Sequence, residues 1–162
     1  MILSGAKVKV VFDLDPEEWH GHATETLWAN VTHAVGQIAR IENSPFFVRG
    51  VSYADSVRVE GSADVCTFVR IVQKSGYATL RVLIEGFVKK KRRVMGALKQ
   101  LQLLDCRHEG GSVGDSQIFS IAVPPSTAAR DVMAVIQRGC ARDLWDAEVG
   151  DAGDRSEFAS LA

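Results

Sequence analysis

His20 and His22 sit one residue apart in a loop that also carries Asp13, Asp15, Glu17 and Glu18. Imidazoles at that spacing hold a transition metal only when a third or fourth ligand joins them. No Cys/His spacing elsewhere completes the set, so the pair reads as part of a solvated acidic loop; no metal or cofactor is expected. Ser52, Tyr53 and Asp55 form a polar cluster after Gly50, with His33 and His108 as the remaining candidate bases. A serine nucleophile needs a base within hydrogen-bond reach and an oxyanion hole. The chain has no G-x-S-x-G elbow, and nothing in the order of residues brings either histidine to Ser52. The cluster therefore reads as turn chemistry that seats Phe46 and Phe47 in a core. Gly110 to Gly114 is glycine-rich, but it lies between strand-like runs and precedes no helix, so it reads as a flexible hairpin loop and not a phosphate loop. No enzymatic constellation is expected.

The charged residues point to binding. Lys89, Lys90, Lys91, Arg92 and Arg93 are consecutive and fall in the first turns of an expected helix, where the helix dipole disfavours cations. Such a run attracts nucleic acid or an acidic partner. At the other end, Asp143, Asp146, Glu148, Asp151, Asp154 and Glu157 face a single base, Arg155. An acidic surface suits a basic protein partner. Arg81 lies mid-strand, and Tyr53, Tyr77 and Thr79 flank the junction of the two halves, where clefts form. A cation at Arg81 needs solvent, an acid or a partner; a salt bridge to an acid of the first half is the expectation.

The elements that must position these groups differ between the halves. Residues 7–14, 24–31 and 34–41 read as strands from their period of two, 46–48 as a brief pairing, and 56–60 with 65–73 as a hairpin turning at 61–64. Five or six short strands in about 70 residues, with no helical pattern, predict a small barrel-like sheet. Beyond Ser75, residues 78–85 alternate, with Leu80, Val82 and Ile84 on one face. Residues 87–104 repeat Phe87, Val94, Leu98 and Leu101 at helical spacing. A short edge strand over 106–109, ended by Gly110 and Gly111, and a strand over 117–123 follow. Ser126 or Thr127 is expected to cap a second helix with the stripe Val132, Val135 and Ile136, and 144–149 is the last strand. The expected fold is α+β: a β-rich barrel-like unit over 1–75, then a ferredoxin-like β-α-β-β-α-β unit over 76–150. A flexible acidic tail is expected over 151–162. The open-face residues Thr79, Arg81, Leu83, Ile118, Ser120 and Ala122 include no aromatic, so the sheet is expected to pack on the barrel half or a partner and not to stack bases.

The stretch PFFVRGVSYAD over 45–55 resembles the signature of a bacterial family, the domain of unknown function numbered 4265. ETLWA over 25–29 and SGYATLRV over 75–82 are similar to its early and middle strands. The resemblance implies a fold and a bacterial source and carries no known reaction. Two positions depart from it. Ala54 stands where the family usually has glycine, and Tyr77 where histidine is common.

At 162 residues, 46% hydrophobic and with net charge −1, the chain excludes a repeat array, a disordered chain and a strongly basic nucleic-acid binder. It holds no apolar run of membrane-spanning length, and its first residues read as no signal peptide. Three widely spaced cysteines suit reduced thiols in the cytoplasm. The expectation is a non-enzymatic protein-binding module, an immunity-type protein that neutralises a bacterial toxin. The alternative is a nucleic-acid-associated regulatory domain that uses residues 89–93.

Overall fold

The computed structural model describes residues 2–62 and 64–161. Its first half is a closed barrel of five strands: β1 (Lys7–Asp13), β2 (Thr24–His33), β3 (Ile38–Ile41), β4 (Ser56–Ser62) and β5 (Val65–Gln73). Each neighbour pairs antiparallel, and β5 returns beside β1 in parallel, with Val10 opposite Cys66. An odd-numbered meander can close only in that way, because its first and last strands point in the same direction. Alternation does the rest. Val8, Val10 and Phe12 of β1 point inward with Leu27, Ala29 and Val31 of β2. Each of the buried valine, leucine and phenylalanine side chains contributes about 1.5–3 kcal/mol.

The second half is a four-stranded antiparallel sheet with two helices on one face. In chain order come β6 (Ala78–Ile84), α1 (Phe87–Leu103), β7 (Arg107–Val113), β8 (Ser116–Val123), α2 (Ala129–Ala141) and β9 (Asp146–Asp151), with strands side by side as β7-β8-β6-β9. The expected β-α-β-β-α-β order is therefore present. Val94, Leu98 and Leu101 of α1 and Val132 and Ile136 of α2 meet Leu80, Val82 and Ile84 of β6 in one core. No helix among the described residues is long and apolar enough to cross a membrane.

Several expectations are corrected in detail. Residues 34–37 form a turn, and β3 begins at Ile38, because Gly36 and Gln37 both take positive φ. Residues 46–48 pair with no strand; a carboxylate takes their amides instead. The hairpin tip at 61–64 begins inside β4, and Ala63 lies outside the described residues. Gly110 and Gly111 do not end a strand: β7 runs through them. A Cβ at Gly110 would meet the Phe119 ring at 2.9 Å, and one at Gly111 the Phe46 ring at 3.2 Å. These glycines admit aromatic rings, and the turn is made by Gly114.

Neither Ser126 nor Thr127 caps α2. Ala128 holds that position, and the Thr127 hydroxyl donates to the Leu104 carbonyl. The last strand is shifted to Asp146–Asp151, since Leu144 and Trp145 are buried beneath the helices. The tail is not free. Gly150 and Asp151 belong to β9, and a short helix α3 (Ser156–Ala159) places Phe158 in the core with no exposure.

Candidate functional site

The segment 42–55 leaves the barrel, crosses the open face of the second sheet and returns. Val48 and Val51 join the barrel core, while carboxylates and one guanidinium hold its backbone. Glu25 of β2 accepts the backbone amides of Phe46, Phe47 and Val48 at 2.6, 2.9 and 2.8 Å. Glu109 of β7 accepts Asn43 Nδ2 and the Ser44 amide. Ser44 and Ser120 share a hydroxyl bond of 2.6 Å, and Ser120 also reaches the Pro45 carbonyl.

Arg81 is the central pin. It is 2% exposed, donates to the carbonyls of Phe47 and Val48, and pairs with Glu148 at 3.0 Å. Burial disfavours its charge and pushes its pKa down, and the facing Glu148 carboxylate opposes that push. The acid on Arg81 therefore comes from β9 and not from the first half as expected. Gly150 leaves room for the guanidinium; a Cβ there would collide with it. The expectation that this sheet face packs on the barrel half is met.

A second lock sits at the junction. Lys74 Nζ lies 2.5 Å from both Asp55 and Asp151 and 2.9 Å from the Gly50 carbonyl. Ser52 Oγ bonds Thr79 Oγ1 at 2.7 Å and Asp151 at 2.8 Å. Asp55 accepts the Ser52 and Ser75 amides. Burial lowers the Lys74 pKa, but hydrogen bonds to Asp151 and Asp55 outweigh it, and the net shift is upward. Burial raises the Asp151 pKa, but its bonds to Lys74 and Ser52 outweigh that, and the net shift is downward. Ser52 has no exposure and no histidine partner, so the cluster fastens the halves and offers no reachable nucleophile.

Beside Arg81 the sheet face is only partly covered: Leu83 is half-buried, while Ile118 is closed off. Trp19, Leu83, Ile118, Asp146, Ala147 and Glu148 line a groove of about 180 Å³ with Arg81 at its inner end. Trp19 is 45% exposed and is held edge-on to Phe47 and His20. Arg49 spans Glu18 and Glu148 at 3.4 and 3.6 Å on the rim. Asp146 is exposed and has no cationic partner among the described residues. The groove thus combines an apolar floor, an aromatic wall and a carboxylate free to pair.

The expected residues divide. Arg81, Asp146 and Glu148 converge on the groove. Asp151 is engaged in the lock with Lys74. Asp143 lies at the end of α2, fully exposed and 3.7 Å from Lys90, away from the sheet face. Tyr53 and Tyr77 stack edge-on at 5.0 Å, and Arg107 covers Tyr53. The basic run Lys89, Lys90, Lys91, Arg92 and Arg93 lies on α1, on the opposite side of the sheet from the groove. His20 is buried and packs with His22 against Phe47, so the loop is less solvated than expected. Sequence reasoning missed Trp19, Arg49 and Lys74. Trp19 follows two acids in an otherwise polar loop, and that lone tryptophan was the available signal.

No curated protein matches the chain. A solved structure described as a hypothetical protein from Neisseria gonorrhoeae is similar to it, with 16% identity, 93% of this chain and 97% of that chain covered, and a TM-score of 0.68. At that identity the likeness concerns the fold. The family model for the domain of unknown function DUF4265 matches residues 25–147. The matched span runs from Glu25, which anchors the strap amides, to Ala147, which lines the groove. With its signature stretch serving as the strap between barrel and sheet, the chain belongs to the DUF4265 family.

Proposed function

We propose that this chain is a cytoplasmic, non-enzymatic binding protein whose partner is a basic protein surface. Within that class we favour an immunity-type protein that neutralises a bacterial toxin domain by covering it. The reading rests on one observation: a half-exposed Trp19 stands over an apolar floor beside the unpaired Asp146. Buried aromatic anchors with a polar rim are the anatomy of protein recognition. A partner lysine or arginine entering the groove would meet the Trp19 indole and the Asp146 carboxylate together. The Arg81, Glu25 and Lys74 contacts keep that wall rigid, so little ordering opposes binding.

The test is neutralisation in cells. A toxin domain encoded beside this chain in its source genome is expressed with the intact chain, with Trp19→Ala, and with Asp146→Lys. The intact chain is expected to restore growth and both variants to fail while still folding. Growth restored equally by both variants, or by none of the three, contradicts the reading.

A further inference from the structure

We propose that the groove between α1 and α2 binds the phosphate backbone of a nucleic-acid strand. It is lined by Arg93, Gly96, Ala97 and Gln100 of α1 and by Val135, Arg138, Gly139 and Arg142 at the end of α2, around a space of about 260 Å³. On each helix these positions recur at the spacing that places side chains on one face. Three arginines therefore line one opening. Among the described residues none of the three has a carboxylate partner; Arg138 bonds only the Gln100 amide, at 3.3 Å. The nearby acid, Asp143, is held by Lys90 at 3.7 Å.

Two further features point the same way. The first is local charge. α1 carries Lys89, Lys90, Lys91, Arg92, Arg93 and Lys99 and no acid, in a chain of net charge −1. Its first turn lacks an acidic residue and any side-chain cap, so three lysines sit where the dipole is positive. An anion laid along the helix relieves that repulsion. The second is Gly96. It lies in the middle of a 17-residue helix, where glycine is unfavourable relative to alanine, yet a Cβ there would meet nothing within 4 Å. Packing inside the chain does not call for this glycine. It keeps the floor of the groove open to something outside the chain.

The occupant is anionic, and a nucleic-acid strand fits better than an acidic protein. The lining residues include no aromatic anchor, Gly96 and Ala97 keep the α1 side of the groove shallow, and its charge comes from Arg93, Arg138 and Arg142, with the rest of the basic run spread around α1 nearby. A basic patch on one face is the footprint of phosphate recognition, and guanidinium forks match phosphate oxygens in pairs. The contact reads backbone and not sequence.

Fluorescence anisotropy of the full chain with a labelled single strand of about 20 nucleotides, at about 50 and 200 mM salt, tests this. The probes are a mixed-sequence RNA, a mixed-sequence DNA and a polyglutamate peptide of equal length. Binding of both nucleic acids is expected in the micromolar range at low salt, weakening about tenfold or more at high salt. Arg138→Gln with Arg142→Gln is expected to weaken binding about tenfold and to flatten the salt slope by about 2. Gly96→Leu fills the floor: affinity falls while the melting temperature holds or rises, which a merely structural glycine would not produce. Trp28→Ala tests a basic aromatic surface on the barrel, where Lys7 and Lys9 lie about 5 Å over an exposed indole, and is expected to bind normally. Absence of binding, loss through Trp28→Ala but not through the groove variants, or polyglutamate binding as tightly as RNA would overturn the proposal. Trp19→Ala leaves strand binding unchanged, which separates this site from the protein-binding groove.

Discussion

Ala54 carries backbone strain. It takes φ of 66°, the left-handed region where a Cβ costs about 1–2 kcal/mol, and its amide is fixed to the Ile41 carbonyl. Glycine suits that backbone. Ala54→Gly is expected to stabilise the chain by about 0.5–1 kcal/mol in urea unfolding, the extra freedom of unfolded glycine offsetting part of the relief. Lys74 carries the opposite expectation. Lys74→Met leaves Asp55 buried beside Asp151, and a loss of about 2–3 kcal/mol is expected after allowing for the lysine's partial exposure. The pair also sets a pH window. With its pKa lowered, Asp151 contributes stability that is present above the ordinary carboxylate value of 3.8 and lost as pH falls through the depressed value. With its pKa raised, Lys74 contributes stability that is full below 10.5 and lost as pH rises through the elevated value. Unfolding measured from pH 2 to 6 should show a shallower acid limb in Asp151→Asn than in the intact chain.

At the scale of elements, the strap decides how barrel and sheet stay together. Glu25 satisfies three consecutive amides, so Glu25→Ala leaves three donors without their acceptor and should cost about 3 kcal/mol. Hydrogen exchange should rise at the Phe46, Phe47 and Val48 amides before it rises in β6. Protection unchanged at those amides would show that Glu25 does not hold the strap. The strap is also where legibility ends. Strands β1, β2, β4 and β5 were readable because each buries one face, and α1 and α2 because their apolar stripes repeat at helical spacing. Gly110 and Gly111 misled because local sequence cannot distinguish a glycine that turns from one that admits a distant ring. The start of β9 misled because Leu144 and Trp145 have strand-like character yet pack under helices. Phe158 was lost in a polar tail where one buried ring fixes the end. In the groove, Arg81, Asp146 and Glu148 were readable by type and face. Trp19 in the groove and Lys74 in the junction lock were not, because only the folded chain brings them to residues distant in sequence.

Across the whole molecule, charge is sorted by face. The helix layer is basic, the rim along β9 and the Trp19 loop is acidic, and the near-neutral total conceals both. Segregation of this kind steers partners of opposite charge to different sides and acts first on the association rate. In the proposed function a basic protein docks on the groove beside Trp19. The most direct test is the association rate of the neighbour-encoded toxin domain with the intact chain and with Asp146→Lys, measured at low and high salt. Slower association is expected for the variant, by about tenfold at low salt and by much less at high salt, with Lys89 to Arg93 changed to glutamine leaving the rate nearly unchanged. Equal rates for the intact chain and Asp146→Lys at low salt, or a complex abolished by removing the basic run, would contradict it.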